Sequence, residues 1–167
     1  MSMLHRVVQG LRARREAGRA SAIQRRKEDL LRAKDFRPER SLIITGDPRG
    51  GTTWLMELLA RLPGTVINWE PLHHDRGVIP ESQRWGRRPY FPADDRDPER
   101  LQRMREILTY QRSTPWTTRY MTVEQAASAE QVLTKFVRAN LLLPWMTSTI
   151  QFERKPILLL RHPVPTV

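Results

Sequence analysis

Short apolar runs alternate along this chain with longer stretches in which apolar residues recur every three or four positions. Leu4, Val7, Val8 and Leu11 have helical spacing and predict an amphipathic helix, which the stretch around Ile23, Leu30 and Leu31 extends. Phe36-Arg37-Pro38 ends it, because proline biases the preceding residue away from helix. Ser41 to Thr45 then reads as a buried strand, and Gly46 to Gly51 as a tight turn. Thr52 to Leu62 returns to helical spacing through Trp54, Leu55, Leu58, Leu59 and Leu62, stopped by Pro63-Gly64. Thr65 to Trp69 is the next strand.

Residues 75–96 are rich in Pro, Gly, Arg and Asp and predict a long loop, a kind of segment that is often functional. Asp97-Pro98-Glu99 has the signature of a helix start, and that helix is expected to reach about Arg112. Thr122 and Gln125 have capping-box spacing at the head of a short helix. Val132 to Val137 reads as a strand, Asn140 to Thr149 as a helix, and Pro156 to Leu160 as a buried strand ending in Arg161-His162-Pro163. Strands alternating with helices predict an α/β fold with a mostly parallel sheet.

Charge divides the chain. Residues 1–40 hold twelve Lys/Arg against five Asp/Glu, whereas residues 41–167 hold seventeen against thirteen, together giving the formal net charge of +11. This predicts a basic helical head over 1–40 and a mildly basic body over 41–167. The head suits a solvated helix, or contact with an anionic surface such as lipid or nucleic acid. No interleaved aromatics support nucleic acid. No apolar run approaches the roughly 20 residues needed to span a bilayer. No apolar segment follows the charged start as in a secretory signal, so a cytoplasmic location is expected. The absence of cysteine excludes disulfides, thiolate metal sites and cysteine nucleophiles.

The most informative segment is Gly46-Asp47-Pro48-Arg49-Gly50-Gly51-Thr52-Thr53, set between strand and helix. Glycines let the backbone turn sharply and bring N–H groups near a ligand. The helix start adds unpaired N–H groups and the positive end of its dipole. Such a turn suits phosphate or sulfate, with Thr52 and Thr53 as hydroxyl donors and Arg49 as a charged fork. Gly46 and Gly51 have the spacing of a nucleoside-triphosphate loop, but Thr52 stands where that motif needs lysine. A phosphotransferase or kinase of that type is the alternative enzyme reading. A tight turn with no ligand would show the same glycines.

Pro48-Arg49-Gly50-Gly51-Thr52-Thr53-Trp54-Leu55 resembles the 5′-phosphosulfate loop of sulfotransferases that use PAPS (3′-phosphoadenosine 5′-phosphosulfate). The arginine at position 49 is the form seen in many carbohydrate sulfotransferases and bacterial relatives. The resemblance covers about residues 41–166. It implies that Arg49, Gly50, Gly51, Thr52, Thr53 and Trp54 hold the donor. Pro156 to Pro163 is similar to the family's 3′-phosphate segment, which implies a bidentate clamp by Arg161. The family's partner serine falls beyond Val167, so a P-loop-like three-layer fold incomplete at its C-terminus is expected. A non-catalytic nucleotide-binding fragment is a further alternative.

Val132 to Lys135 resembles the strand that supplies the catalytic histidine in cytosolic members, but that position is Val137 here. The resemblance implies that Lys135 contacts the transferring group, with Arg138 and Asn140 shaping the site. Trp69-Glu70-Pro71-Leu72 is similar to the Glu-Pro-Leu element of carbohydrate sulfotransferases. Glu70 is therefore the first candidate for the base, with His73 or His74 second. The implied reaction transfers a sulfuryl group from PAPS to a hydroxyl of a carbohydrate or glycolipid. No metal is expected, because His73, His74 and Asp75 are neighbours in sequence and such residues seldom converge on one ion.

Overall fold

A computed structural model describes residues 3–80 and 85–162, apart from the side chains of residues 3–8 and 11. Helix α1 (Met3–Arg32) leads to strand β1 (Leu42–Gly46), helix α2 (Thr52–Leu59) and strand β2 (Thr65–Trp69). Helices α3 (Pro98–Leu108) and α4 (Val123–Ala127) precede strand β3 (Gln131–Lys135), which is followed by helix α5 (Leu143–Thr149) and strand β4 (Ile157–Leu159). The strands form one parallel sheet in the order β2-β3-β1-β4, so the protein has an α/β fold with helices on both sheet faces.

Alternation along the strands builds the two faces. Leu42 and Ile44 of β1, Leu133 of β3 and Trp69 of β2 pack against Met56, Leu55 and Leu59 of α2. Ile43 points the other way, into a core made by Met104 and Leu108 of α3 and Trp145 and Met146 of α5. Val66 and Val132 continue that second face against Leu31, Tyr110 and Ala126. Two buried polar side chains of this face find backbone partners, although the Asn68 side-chain oxygen has none among the described residues. The Asn68 side-chain amide donates to the Ile107 carbonyl at 2.8 Å, and the Ser41 hydroxyl to that of Leu108 at 3.0 Å.

The helix starts follow the local signals. The Asp97 carboxylate accepts from the Glu99 and Arg100 amides, with Pro98 at the first helical position. Thr122 and Gln125 form the capping box in both directions. Residues 75–80 and 85–96 hold no helix or strand, as the loop expectation has it.

One expectation needs correction. The apolar run at Pro156 to Leu160 does not make a buried strand. β4 lies at the sheet edge, where β1 is its one partner among the described residues, and Ile157 and Leu158 are each 41% exposed. An apolar run is buried on both faces only when neighbours and helices cover it, and among the described residues the outer side has neither. Pro163, the last residue of the motif that follows, lies outside the described residues. The head is one continuous helix, as its expected extension through Ile23, Leu30 and Leu31 requires, and among the described side chains its C-terminal end is the part that joins the core. Residues 12–22 are all exposed, Ile23 is half-exposed, and burial begins in earnest at Leu31. The faces taken by Leu4, Val7, Val8 and Leu11 are outside what is described.

Candidate functional site

The connection after β1 runs to β2 and carries α2 over one face. The connection after β3 runs to β4 and carries α5 over the other face. The two loops leave neighbouring strands in opposite directions. Open parallel sheets place a ligand crevice where this happens, outside the carboxyl ends of the strands. A cavity of about 560 Å3 lies there. Its lining comes from all three connections: Arg49, Gly51, Thr52 and Thr53 after β1, Glu70 and His73 after β2, and Val137 and Arg138 after β3.

The turn after β1 is built for close backbone approach. Gly50 N–H donates to the Asp47 carbonyl at 3.0 Å and closes the turn. Gly51 has φ 91°, a conformation that costs glycine little, and caps α2 without a side-chain acceptor. The amides of the first α2 turn thus have no partner inside the helix, and the dipole's positive end faces the same space. Thr52 is buried at this helix start and Thr53 is exposed. The turn is tied to its surroundings by Asp47, paired with Arg88 at 3.1 Å, and by Arg161, whose guanidinium donates to the Arg49 carbonyl at 3.3 Å.

Backbone strain gathers at this cavity. Arg49, Glu70 and Arg138 have φ of 63°, 38° and 69°, and each follows a different strand of the sheet. Left-handed backbone at a non-glycine residue costs about 1–2 kcal/mol and persists only where the surroundings enforce it. Arg138 N–H donates to the Gly46 carbonyl at 3.2 Å and Glu70 N–H to the Lys135 carbonyl at 2.9 Å, so the enforcing bonds are identifiable.

Lys135 is the charged residue deepest in this region, its side chain 3% exposed. Nζ donates to Glu70 Oε1 at 2.7 Å and lies 3.8 Å from the centre of the Trp69 ring. Burial pulls its pKa below the ordinary lysine value, against the opposing pull of Glu70. Glu70 Oε2 has no hydrogen-bond partner among the described residues, although Glu70 lines the cavity. The cationic side chains of Arg49 and Arg138 have no acidic partner among the described residues either. The lining therefore carries Arg49, Lys135 and Arg138 against Glu70 alone, a positive surplus that attracts a polyanion.

The remaining expected residues sit nearby with different surroundings. Trp54 is 67% exposed on α2 and does not line the cavity, and Gly50 also stands outside the lining. Arg161 lies at the same sheet end, exposed, with its contact to the loop carbonyl. Asn140 accepts from the Thr45 hydroxyl at 2.9 Å, an anchoring contact beneath the site.

The loop after Glu70 folds back on itself. Gly77 N–H bonds the His73 carbonyl and Val78 N–H the Pro71 carbonyl, both at 2.8 Å. A Cβ on Gly77 would lie 2.2 Å from the Pro71 oxygen, so only glycine fits. The fold-back brings candidate ligand atoms of His73, His74 and Asp75 within 4.8 Å of one another. Their polar atoms already satisfy each other, through His74 Nε2 to Asp75 Oδ2 at 2.8 Å and the Asp75 amide to His73 Nδ1 at 3.3 Å. The two imidazoles stack at 4.8 Å. Burial, then the charge of His74, holds the His73 pKa below 6.5. We expect His74→Ala to move the His73 titration upward, because a charge that opposes its protonation is removed while Glu70 and Asp75 still favour it. Imidazole proton shifts followed through pH would show this, and an unmoved or lowered value would contradict it.

Sequence reasoning missed Arg87, which stands beside His73, His74 and Arg138 with no acidic partner among the described residues. It also missed the role of Trp69 as a floor for Lys135. Trp69 was legible only as an apolar strand residue, and Arg87 lies in a loop without periodicity.

No family model matches this chain, no curated protein matches it, and no solved structure matches it.

Proposed function

We propose that this protein transfers a sulfuryl group from PAPS to a hydroxyl acceptor, with a carbohydrate or glycolipid as the acceptor class. The observation that carries the reading is one cavity lined by Arg49 and the start of α2 at one side and by the Lys135–Glu70 pair at the other. The resemblance of the turn to the phosphosulfate loop adds the donor's identity.

In this mechanism the turn amides, Thr52, Thr53 and Arg49 hold the 5′-phosphosulfate, and Arg161 meets the 3′-phosphate. The acceptor oxygen attacks sulfur in line while its proton passes to Glu70 Oε2. The bond from sulfur to the bridging oxygen breaks, and the products are a sulfate ester, adenosine 3′,5′-bisphosphate and a proton. Lys135 and Arg49 offset the negative charge that develops on the leaving phosphate. A preorganised cation in a partly dry site is worth more than one in water.

Calorimetric titration of the chain with adenosine 3′,5′-bisphosphate and with magnesium ATP tests the donor. The bisphosphate is expected to bind more tightly, because Thr52 stands where a triphosphate loop needs lysine while Arg161 is placed near the turn. Tighter binding of magnesium ATP would overturn the reading in favour of a phosphotransferase. Transfer of label from radioactive sulfate-labelled PAPS to a hydroxyl acceptor is the direct assay.

A further inference from the structure

The cavity at the turn does not end at Glu70. A narrow neck lined by Glu70, His73, Arg87, Val137 and Arg138 continues from it. Beyond the neck lies a second hollow of about 240 Å3, which shares Leu72, His73, His74 and Arg87 with the neck. Glu70, the carboxylate proposed as the base, lines the donor-side cavity and the neck but not the far hollow, and His73 lines all three.

The far hollow has its own chemistry. Leu72, Ile79, Trp85 and Pro89 give it apolar walls, and Arg87 and the two histidines give it polar ones. Trp85 is braced by edge contacts with Phe91 at 5.2 Å and Trp145 at 6.4 Å, and both of those rings are buried. A fixed indole wall costs little side-chain entropy on binding and suits the flat face of a ring. The volume equals roughly eight waters, which accommodates a single substituted ring and not an extended chain. Arg87 and Arg138 border the hollow and its neck without an acidic partner among the described residues. Unpaired guanidinium groups beside an apolar wall favour a ligand that brings an anionic substituent.

We propose that the acceptor is a ring alcohol bearing its own negative charge, seated against Trp85 with its anionic group on Arg87 and its hydroxyl presented through the neck to Glu70. This rests on the sulfuryl-transfer reading and names the acceptor for that site. The shared chemistry could come from an acidic sugar or an acidic phenol.

Two pairs of probes separate the sources and test the charge: methyl glucuronide with methyl glucoside, and 4-hydroxybenzoate with phenol. Transfer from PAPS is measured as kcat/KM, and binding of each probe is measured by calorimetry on the full chain saturated with adenosine 3′,5′-bisphosphate. The anionic member of at least one pair is expected to be favoured roughly tenfold or more over its neutral partner, in transfer or in binding. Arg87→Gln should remove that preference, and Trp85→Ala should weaken binding of both members of the favoured pair. Equal or better handling of both neutral probes would overturn the proposal, as would a preference that survives Arg87→Gln or absence of binding by all four. If the bisphosphate binds and the charge preference is missing, this inference alone fails. If the bisphosphate does not bind, the sulfuryl-transfer reading fails, whatever the ring probes do.

Discussion

Glu70→Gln is expected to lower turnover by about 10²–10⁴-fold, the usual worth of a general base, while leaving nucleotide affinity intact or slightly raised. The substitution keeps the shape of the side chain. A glutamine oxygen can still accept from Lys135 Nζ, now 2.7 Å from Oε1, but it cannot take a proton from an acceptor hydroxyl. The sign of the affinity change follows from the lining: removing the one carboxylate increases the positive surplus left by Arg49, Lys135 and Arg138. Initial rates with saturating PAPS, paired with calorimetry of the bisphosphate, separate the two effects. His73→Ala and His74→Ala should cost much less, since each would act only by positioning. A near-normal rate for Glu70→Gln together with a dead histidine variant would move the base to the imidazole.

That same substitution leaves an ammonium that is 3% exposed without its counter-charge. Breaking a buried pair by removing one partner costs about 3–5 kcal/mol in well-buried cases. Glu70 keeps 17% of its side chain exposed and Lys135 still has the Trp69 face, so the loss here should be smaller. The lowered pKa of Lys135 gives a check through linkage. A lysine whose folded pKa is depressed is penalised while charged, and the penalty fades as pH rises from the folded pKa toward the unfolded value near 10.5. Removing Glu70, which raises that pKa, should widen this alkaline window. A loss of fold at neutral pH would show in the denaturation midpoint and would not be mistaken for lost proton transfer.

The parts of this site differ in how far a sequence can reveal them. The turn at 46–53 was legible because its information is local: glycine spacing, a proline and paired threonines specify a strand, a tight turn and a helix start without reference to anything distant. The Glu70–Lys135 pair spans 65 residues and exists because β2 and β3 run parallel in register, Trp69 opposite Lys135. Sequence pattern offers each strand end but not their alignment. The resemblance supplied both residues by motif, and their pairing came only from the sheet. β4 shows the converse failure, since an apolar run reports composition and not rank within a sheet. Arg87 had no signal at all. Its neighbourhood is set by where residues 85–96 run against the loop after β2, and nothing periodic marks that.

Arg49→Gly is expected to make the protein slightly more stable and a much poorer binder of adenosine 3′,5′-bisphosphate. Arg49 has φ 63°, a left-handed backbone that costs a side-chain-bearing residue about 1–2 kcal/mol. Glycine removes that cost but gives the unfolded chain more freedom, which returns about 0.5–1 kcal/mol. The net gain is therefore about 0–1.5 kcal/mol. Binding moves the other way. A charged donor group is worth about 1.5–3 kcal/mol, so affinity should fall roughly 10–150-fold. Arg49→Ala separates charge from strain: it loses the same affinity while keeping the strained backbone, so it should be less stable than the glycine variant by about 0–1.5 kcal/mol. The Arg49 carbonyl that accepts from Arg161 survives in both, so neither variant removes that tether. Chemical denaturation and calorimetry on the three chains give both quantities. Undiminished bisphosphate binding by both variants would remove Arg49 from the donor site. A glycine variant less stable than the alanine one would mean that the turn does not hold Arg49 in a strained conformation. The outcome expected here, stability and binding shifting in opposite directions at one residue, is the behaviour of a backbone held in place for a ligand.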